Sequence, residues 1–197
     1  MNRRSSSPAI IAAALCLLAP FSRSGGPSTV SGTLAGPVAA RVQMVYIETA
    51  PGTFPLTTGV VIDQKNTKYS PHVSAVITGS TVEFKTSDVQ LHNVFVRQNG
   101  EMLTNSAMPP GVPNVKLTLD NPGIARITCV VHKEMGAWIL ILQNPYFAEV
   151  KTGAFTITGL PPGKYTVKVW GEKLVEAEKA KAYPVEVKAG VPLAITL

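Results

Sequence analysis

The chain has 197 residues, 45% of them hydrophobic and only 15% charged, with 16 Gly and 16 Pro. That is too apolar for a disordered tail and too rich in turn formers for a helical bundle, so many short strands are expected. The formal charge of +6 falls to +3 if an N-terminal leader removes Arg3, Arg4 and Arg23, leaving 15 basic against 12 acidic residues. So small and scattered an excess argues against nucleic-acid binding.

Residues 1–24 read as a cleavable export signal: Arg3 and Arg4, an uncharged apolar run over 8–19, then a Ser/Gly-rich stretch. The run falls short of the ~20 residues a spanning helix needs, so no stable membrane insertion is expected after cleavage. Cleavage also removes Cys16 and leaves Cys129 as a lone thiol in an oxidising compartment, where it must be buried or bound to something.

Alternating patterns predict strands over 30–34 and 42–48, around the turn Gly36-Pro37. A third strand over 58–63 is followed by a polar turn over 64–67. Residues 73–77 and 81–85 flank Thr78-Gly79-Ser80 as in a hairpin. A strand over 92–97 puts Val94 and Val96 on one face and Phe95 on the other. Residues 115–119 and 125–131 flank the turn 120–123, and the apolar run 138–142 suits one buried strand. After Asn144-Pro145 the pattern restarts, with strands over 154–158 and 165–170 around Leu160-Pro-Pro-Gly163. Residues 172–181 favour helix by composition but lack a clear cap, which fits a loop or one or two helical turns. Residues 184–188 and 191–197 look like a last hairpin around Ala189-Gly190.

The chemistry gathers in one segment. Cys129, His132 and Met135 place a thiolate, an imidazole and a thioether within seven residues, and His92 adds a second imidazole from another strand. Two His, one Cys and a weak axial Met form the ligand set of a mononuclear blue-copper site. Thiolate and thioether favour Cu(I), imidazole tolerates both states, and a stiff β-scaffold limits rearrangement when the electron moves. Zinc competes for a Cys and two His, but the thioether argues against it. A c-type haem is excluded because no Cys-x-x-Cys-His occurs. His72 reads as a partly exposed strand-start residue, with a second metal ligand or a proton-coupled neighbour of the site as its functional alternative, and Trp138 and Trp170 read as core aromatics.

These residues together resemble a cupredoxin of the plastocyanin and amicyanin type. The likeness spans about residues 58–143 and is carried by Val60-Val-Ile62 with Tyr69-Ser-Pro71, by Thr86-Ser-Asp88 before His92-Asn93-Val94, by Asn121-Pro-Gly123, and by the short Cys129–His132–Met135 spacing. It implies His92, Cys129 and His132 as equatorial ligands, Met135 as the axial one, and one type 1 copper ion. Asn93 would tie the first-ligand strand to the Cys loop. Val130 and Val131 depart from the hydroxyl residue and the proline that the family usually has there. The segment from Thr152 to Val169, with Phe155, Gly159, Leu160-Pro-Pro-Gly163 and Tyr165, is similar to the carboxypeptidase regulatory-like, transthyretin-like sandwich. The expected fold is therefore all-β: a cupredoxin Greek-key β-sandwich over 53–143 inserted into a small transthyretin-like β-sandwich made of 25–52 and 144–197. A plainer reading, with an N-terminal extension and a C-terminal tail packing separately, stands beside it.

The expected function is that of a periplasmic or otherwise exported one-electron carrier, a monomer meeting redox partner proteins and doing no catalysis of its own. Met108, Pro109 and Pro110 suggest a weakly apolar docking patch. Copper capture and delivery uses the same ligands, and a metal-free envelope-binding module is the third reading. No carboxylate pair, triad or phosphate loop suggests hydrolysis or group transfer.

Overall fold

The computed structural model describes residues 26–196, so the export signal expected at 1–24, with Arg3, Arg4 and Cys16, lies outside the described residues. The fold is all-β. Its strands, in chain order, are β1 (Ser28–Thr33), β2 (Met44–Ile47), β3 (Val61–Lys65), β4 (Lys68–Ser70), β5 (Val73–Ile77), β6 (Ser80–Thr86), β7 (His92–Gln98) and β8 (Glu101–Met108). They continue with β9 (Val115–Leu119), β10 (Gly123–Thr128), β11 (Gly136–Leu142), β12 (Phe147–Glu149), β13 (Ala154–Leu160), β14 (Gly163–Trp170), β15 (Tyr183–Val187) and β16 (Leu193–Thr196). A single helical turn, α1 (Glu176–Lys179), sits where composition favoured helix.

Four sheets stack. The order β4-β3-β6-β9 faces the order β5-β11-β10-β7-β8, and between them Ile62, Val82, Phe84 and Leu119 meet Val94, Val96, Ile127, Ile139 and Ile141. The order β12-β2-β14-β15 faces β13-β1-β16, with Val45, Ile47, Val167 and Val169 against Val30, Phe155 and Ile157. Thus β1 and β2 pair with strands that follow residue 146, while β3–β11 pair only among themselves.

The two sandwiches meet sheet on sheet. Met44, Tyr46, Phe147 and Trp170 from one pack on Val73, Ala75, Ile124, Trp138, Leu140 and Leu142 from the other. This explains why 138–142 is apolar without alternation. Ile139 and Ile141 fill the inner core while Leu140 and Leu142 fill the junction, so both faces of β11 are dry. Trp138 and Trp170 meet edge to face at 5.5 Å across that junction, as core aromatics do.

Two expected hairpins, around 78–80 and 189–190, are crossovers instead, and so is the connection over the turn 120–123. β5 and β6 join different sheets, as do β9 and β10, and β15 and β16, the last running parallel to β1. The polar turn expected at 64–67 is shorter than that. Gln64 and Lys65 belong to β3, and only Asn66 and Thr67, both at positive φ, make the turn. β8 and β12 had no sequence expectation. The β7–β8 hairpin turns on Asn99-Gly100 (φ 51 and 85), a pair whose backbone preference matches the twist of the strands.

Candidate metal centre

All the candidate ligands lie at one end of the five-stranded sheet. β10 and β11 pair from Gly123↔Ile141 to Thr128↔Gly136, so residues 129–135 form a loop closed at its base by the ladder. Inside it, the Met135 amide donates to the His132 carbonyl at 3.0 Å and the Cys129 amide to the Met135 carbonyl at 3.4 Å. β7 lies beside β10, and its first residue, His92, runs past Thr128 toward this loop. The ligand atoms of His92, Cys129 and His132 lie within 4.8 Å of one another. Cys129 Sγ is 3.8 Å from His132 Nδ1, and the two imidazole rings are 4.9 Å apart at a 52° tilt. Met135 is buried in the same apolar cluster as Cys129.

The protonation of His92 is set by its neighbour. Its Nε2 donates to Asp88 Oδ2 at 3.0 Å, while its Nδ1 is buried with no hydrogen-bond partner. Asp88 also accepts from the amides of Val89 and Thr67. The hydrogen bond from His92 holds the Asp88 carboxyl below the usual range, against the effect of burial and with help from those two amides. A carboxylate acceptor fixes the proton on Nε2, which leaves the Nδ1 lone pair pointing to a dry space with nothing to bind it. An orphaned acceptor of that kind costs about 1–3 kcal/mol, so it calls for a ligand.

The donor set fits a soft or borderline ion. Metal–sulfur and metal–nitrogen bonds of about 2.3 and 2.0 Å place the two donor atoms about 3.5–3.7 Å apart in trigonal or tetrahedral geometry, against the 3.8 Å seen here. Cys129 is the free cysteine of the described residues and is buried.

Tyr69, on β4, holds the ligand strands together. Its hydroxyl donates to the Asn93 carbonyl, next to His92, and lies 3.0 Å from the Thr128 carbonyl, next to Cys129. Burial, and then the nearby Cys129, push its ionisation far above the ordinary tyrosine value, so it stays a neutral donor. The tie expected from the Asn93 side chain is not made. Asn93 Nδ2 donates instead to Asn105 Oδ1 on β8 at 2.9 Å, because Val130 offers it no hydroxyl in the loop.

Met108 corrects the expected docking patch. It is fully buried opposite His92 in the β7–β8 register, where Gln64 Nε2 lies 3.0 Å from its sulfur. Pro109 and Pro110 are exposed, and the apolar surface around the centre is supplied by Val89, Leu91, Val130 and Val131. Val130 is 60% exposed and Val89 87%. His132, in the same loop as Val130 and Val131, is half-buried. His72 is apart from the cluster, its side chain 45% exposed.

Sequence reasoning missed Asp88, Tyr69 and Gln64 as parts of the site. Asp88 carried a usable signal, an acidic residue four positions before a candidate ligand. The roles of Tyr69 and Gln64 depend on packing between sheets that no local pattern encodes.

No protein-family model and no curated protein matches the chain. Solved structures do. The chain is similar to a purple cupredoxin from Nitrosopumilus maritimus, at 20% identity over 42% of this chain and 99% of that one, with a TM-score of 0.38. It is similar to a reduced-state amicyanin variant at 19% identity over 49% and 97%, TM-score 0.38. A copper-containing nitrite reductase from Thermus scotoductus matches at 21% identity over 57% of this chain and 28% of that one, TM-score 0.40.

Proposed function

We propose that the protein is a mononuclear metal protein of the cupredoxin kind, with a metal-bearing β-sandwich over 53–143 inserted into a second, transthyretin-like sandwich made of 25–52 and 144–197. Within that class it is an exported type 1 copper protein acting as a one-electron carrier. His92, Cys129, His132 and Met135 would hold the ion. The observation that carries this reading is the buried, partnerless Nδ1 of His92 beside a buried thiol and a second imidazole.

Bound copper supplies reversible passage between Cu(II) and Cu(I). The rest is the work of the chain. Asp88 keeps the His92 proton on Nε2, so Nδ1 is available without any proton having to move. Tyr69 keeps the carbonyls beside His92 and Cys129 at a fixed spacing, which limits reorganisation. Burial of Cys129 and His92 excludes water, and the half-buried His132 brings one side of the centre near the surface. Redox partners dock on the rim of Val89, Leu91, Val130 and Val131, an area suited to short encounters. The chain performs no catalysis of its own and is exported through residues 1–24. No helix among the described residues is long and apolar enough to cross a membrane.

Copper delivery uses the same ligands and is favoured by the exposure of residues 130, 131, 133 and 134 in the ligand loop. Visible and EPR spectra of the Cu(II)-loaded chain beside Cys129→Ser test the site. An intense thiolate-to-copper band lost in the variant is expected, and identical spectra would falsify the assignment. Fast electron self-exchange with chelator-resistant copper supports the carrier; rapid Cu(I) transfer to an acceptor supports delivery.

A further inference from the structure

The junction between the sandwiches buries an apolar cluster, and beside it lies a polar contact close to the ligand loop. There Glu172, from the flanking sandwich, reaches the metal-bearing one. Its Oε2 lies 2.9 Å from His72 Nε2 and accepts from Trp138 Nε1 at 3.2 Å. The other ring nitrogen of His72, Nδ1, is 2.9 Å from the carbonyl oxygen of Gly136. Gly136 directly follows Met135 and opens β11. The His72 ring thus has an oxygen within hydrogen-bond distance of each of its nitrogens, one from each sandwich. The contacts at Glu172 act on its own carboxyl. Burial raises its pKa, but the hydrogen bonds from His72 and Trp138, with the charges of His72 and Lys173, outweigh this and keep it below the ordinary value.

Glu172 is itself held firmly. Its amide donates to Gln43 Oε1 at 2.9 Å, and the preceding Gly171 lies so close to the Arg41 carbonyl that a Cβ would stand 1.9 Å from that oxygen. On the other side, the Trp138 amide donates to the His72 carbonyl at 2.9 Å. A chain of short contacts thus runs from Gln43 through Glu172 and His72 to the residue after Met135.

We propose that Glu172 and His72 are positioning residues through which the flanking sandwich fixes the Gly136 end of the ligand loop. Cys129, His132 and Met135 then owe part of their alignment to a carboxylate that belongs to the other sandwich. The consequence for copper rests on the metal reading above; the brace itself does not.

The test uses the full chain with Glu172→Ala, which removes both acceptor bonds, and Glu172→Gln, which keeps an oxygen but removes the charge. In metal-free protein, hydrogen exchange at the Met135 and Trp138 amides is expected to rise about tenfold in Glu172→Ala, as for loss of a hydrogen bond to a charged group, with core amides such as Phe84 unchanged. Glu172→Gln falls between, and Glu172→Asp recovers part of the protection. In loaded protein, Cu(I) affinity measured by chelator competition falls about tenfold in Glu172→Ala. If exchange quickens only over residues 170–174 and the loop amides keep their wild-type rates, the brace is refuted. Should Glu172→Ala fail to fold, Glu172→Gln and His72→Gln decide by the same amides. Failure of the wild-type chain to bind copper would overturn the metal reading alone, and the metal-free exchange would still judge the brace.

Discussion

Replacing Tyr69 with Phe removes one oxygen from a packed interior and leaves the ring in place, so it isolates what the hydroxyl does. In the wild type that hydroxyl has one proton and faces two carbonyls, those of Asn93 and Thr128. Without it both carbonyls lose a buried partner, at a cost of about 1–3 kcal/mol for a stranded polar group. The variant also escapes the burden of burying the hydroxyl, and the phenyl ring still fills the space, so a net loss of about 1–2 kcal/mol is expected. At this chain length that corresponds to a fall in Tm of roughly 2–8 °C. Calorimetry on the metal-free chain checks the stability. Copper loading then checks the site, because a relaxed spacing between His92 and Cys129 should weaken Cu(I) binding and shift the thiolate-to-copper band. A variant as stable as wild type, or one that is less stable with unchanged copper affinity and spectrum, would refute the idea that this hydroxyl sets the distance between ligand strands.

Asp88→Asn weakens the fixed tautomer of His92 and is expected to lower copper affinity about 10- to 100-fold, measured by chelator competition, as for other outer-shell partners of ligating imidazoles. The same carboxyl gives a pH signature. Its pKa is lowered in the folded state, so its contribution is present above the unfolded carboxylate range and is lost as pH falls through the folded value. Urea midpoints of metal-free wild type and Asp88→Asn should therefore differ at neutral pH and converge in acid; a gap that persists or widens in acid would contradict the pairing. At the junction, Leu140→Ala should cost about 2–5 kcal/mol, as much as Ile141→Ala on the opposite face, because both side chains are buried. A cost below about 1 kcal/mol for Leu140→Ala, within the range of surface changes, would mean the sandwiches do not pack in solution.

The candidate ligands could be picked out because three of the four sit in one loop at fixed spacing, and the fourth opens a strand with its own local pattern. Cys129 was visible as a lone thiol needing a reason. Sheet membership was not readable in the same way. Thr78-Gly79-Ser80 and Ala189-Gly190 are short turns between alternating segments, and such turns look alike whether the next strand lies beside the last or across the core. The difference depends on which distant strand completes each sheet: β11 for β5, and β1 for β16. Asn99-Gly100 did carry a hairpin signal, and β8 could have been read from it. Gln64 looked like part of a polar turn because its amide is polar; in the fold it is fully buried, facing the sulfur of Met108. The continuous run 138–142 held more than a buried strand. Its lack of alternation already required a dry surface on both sides, and hence a second layer beyond the first sandwich.

That second layer bears on why a polar group stands at the junction at all. An apolar contact such as Met44, Leu140 and Trp170 stabilises without any charge, and a paired charge placed nearby adds little and can cost more in desolvation than it returns. If joining two sandwiches were the whole requirement, a further aliphatic side chain at 172 would serve. A carboxylate does one thing that an aliphatic group cannot: it orients an imidazole, and here the far nitrogen of that imidazole meets the backbone next to Met135. The apolar junction accounts for adhesion, while Glu172 and His72 account for alignment at the one end where the fold gathers its candidate ligands.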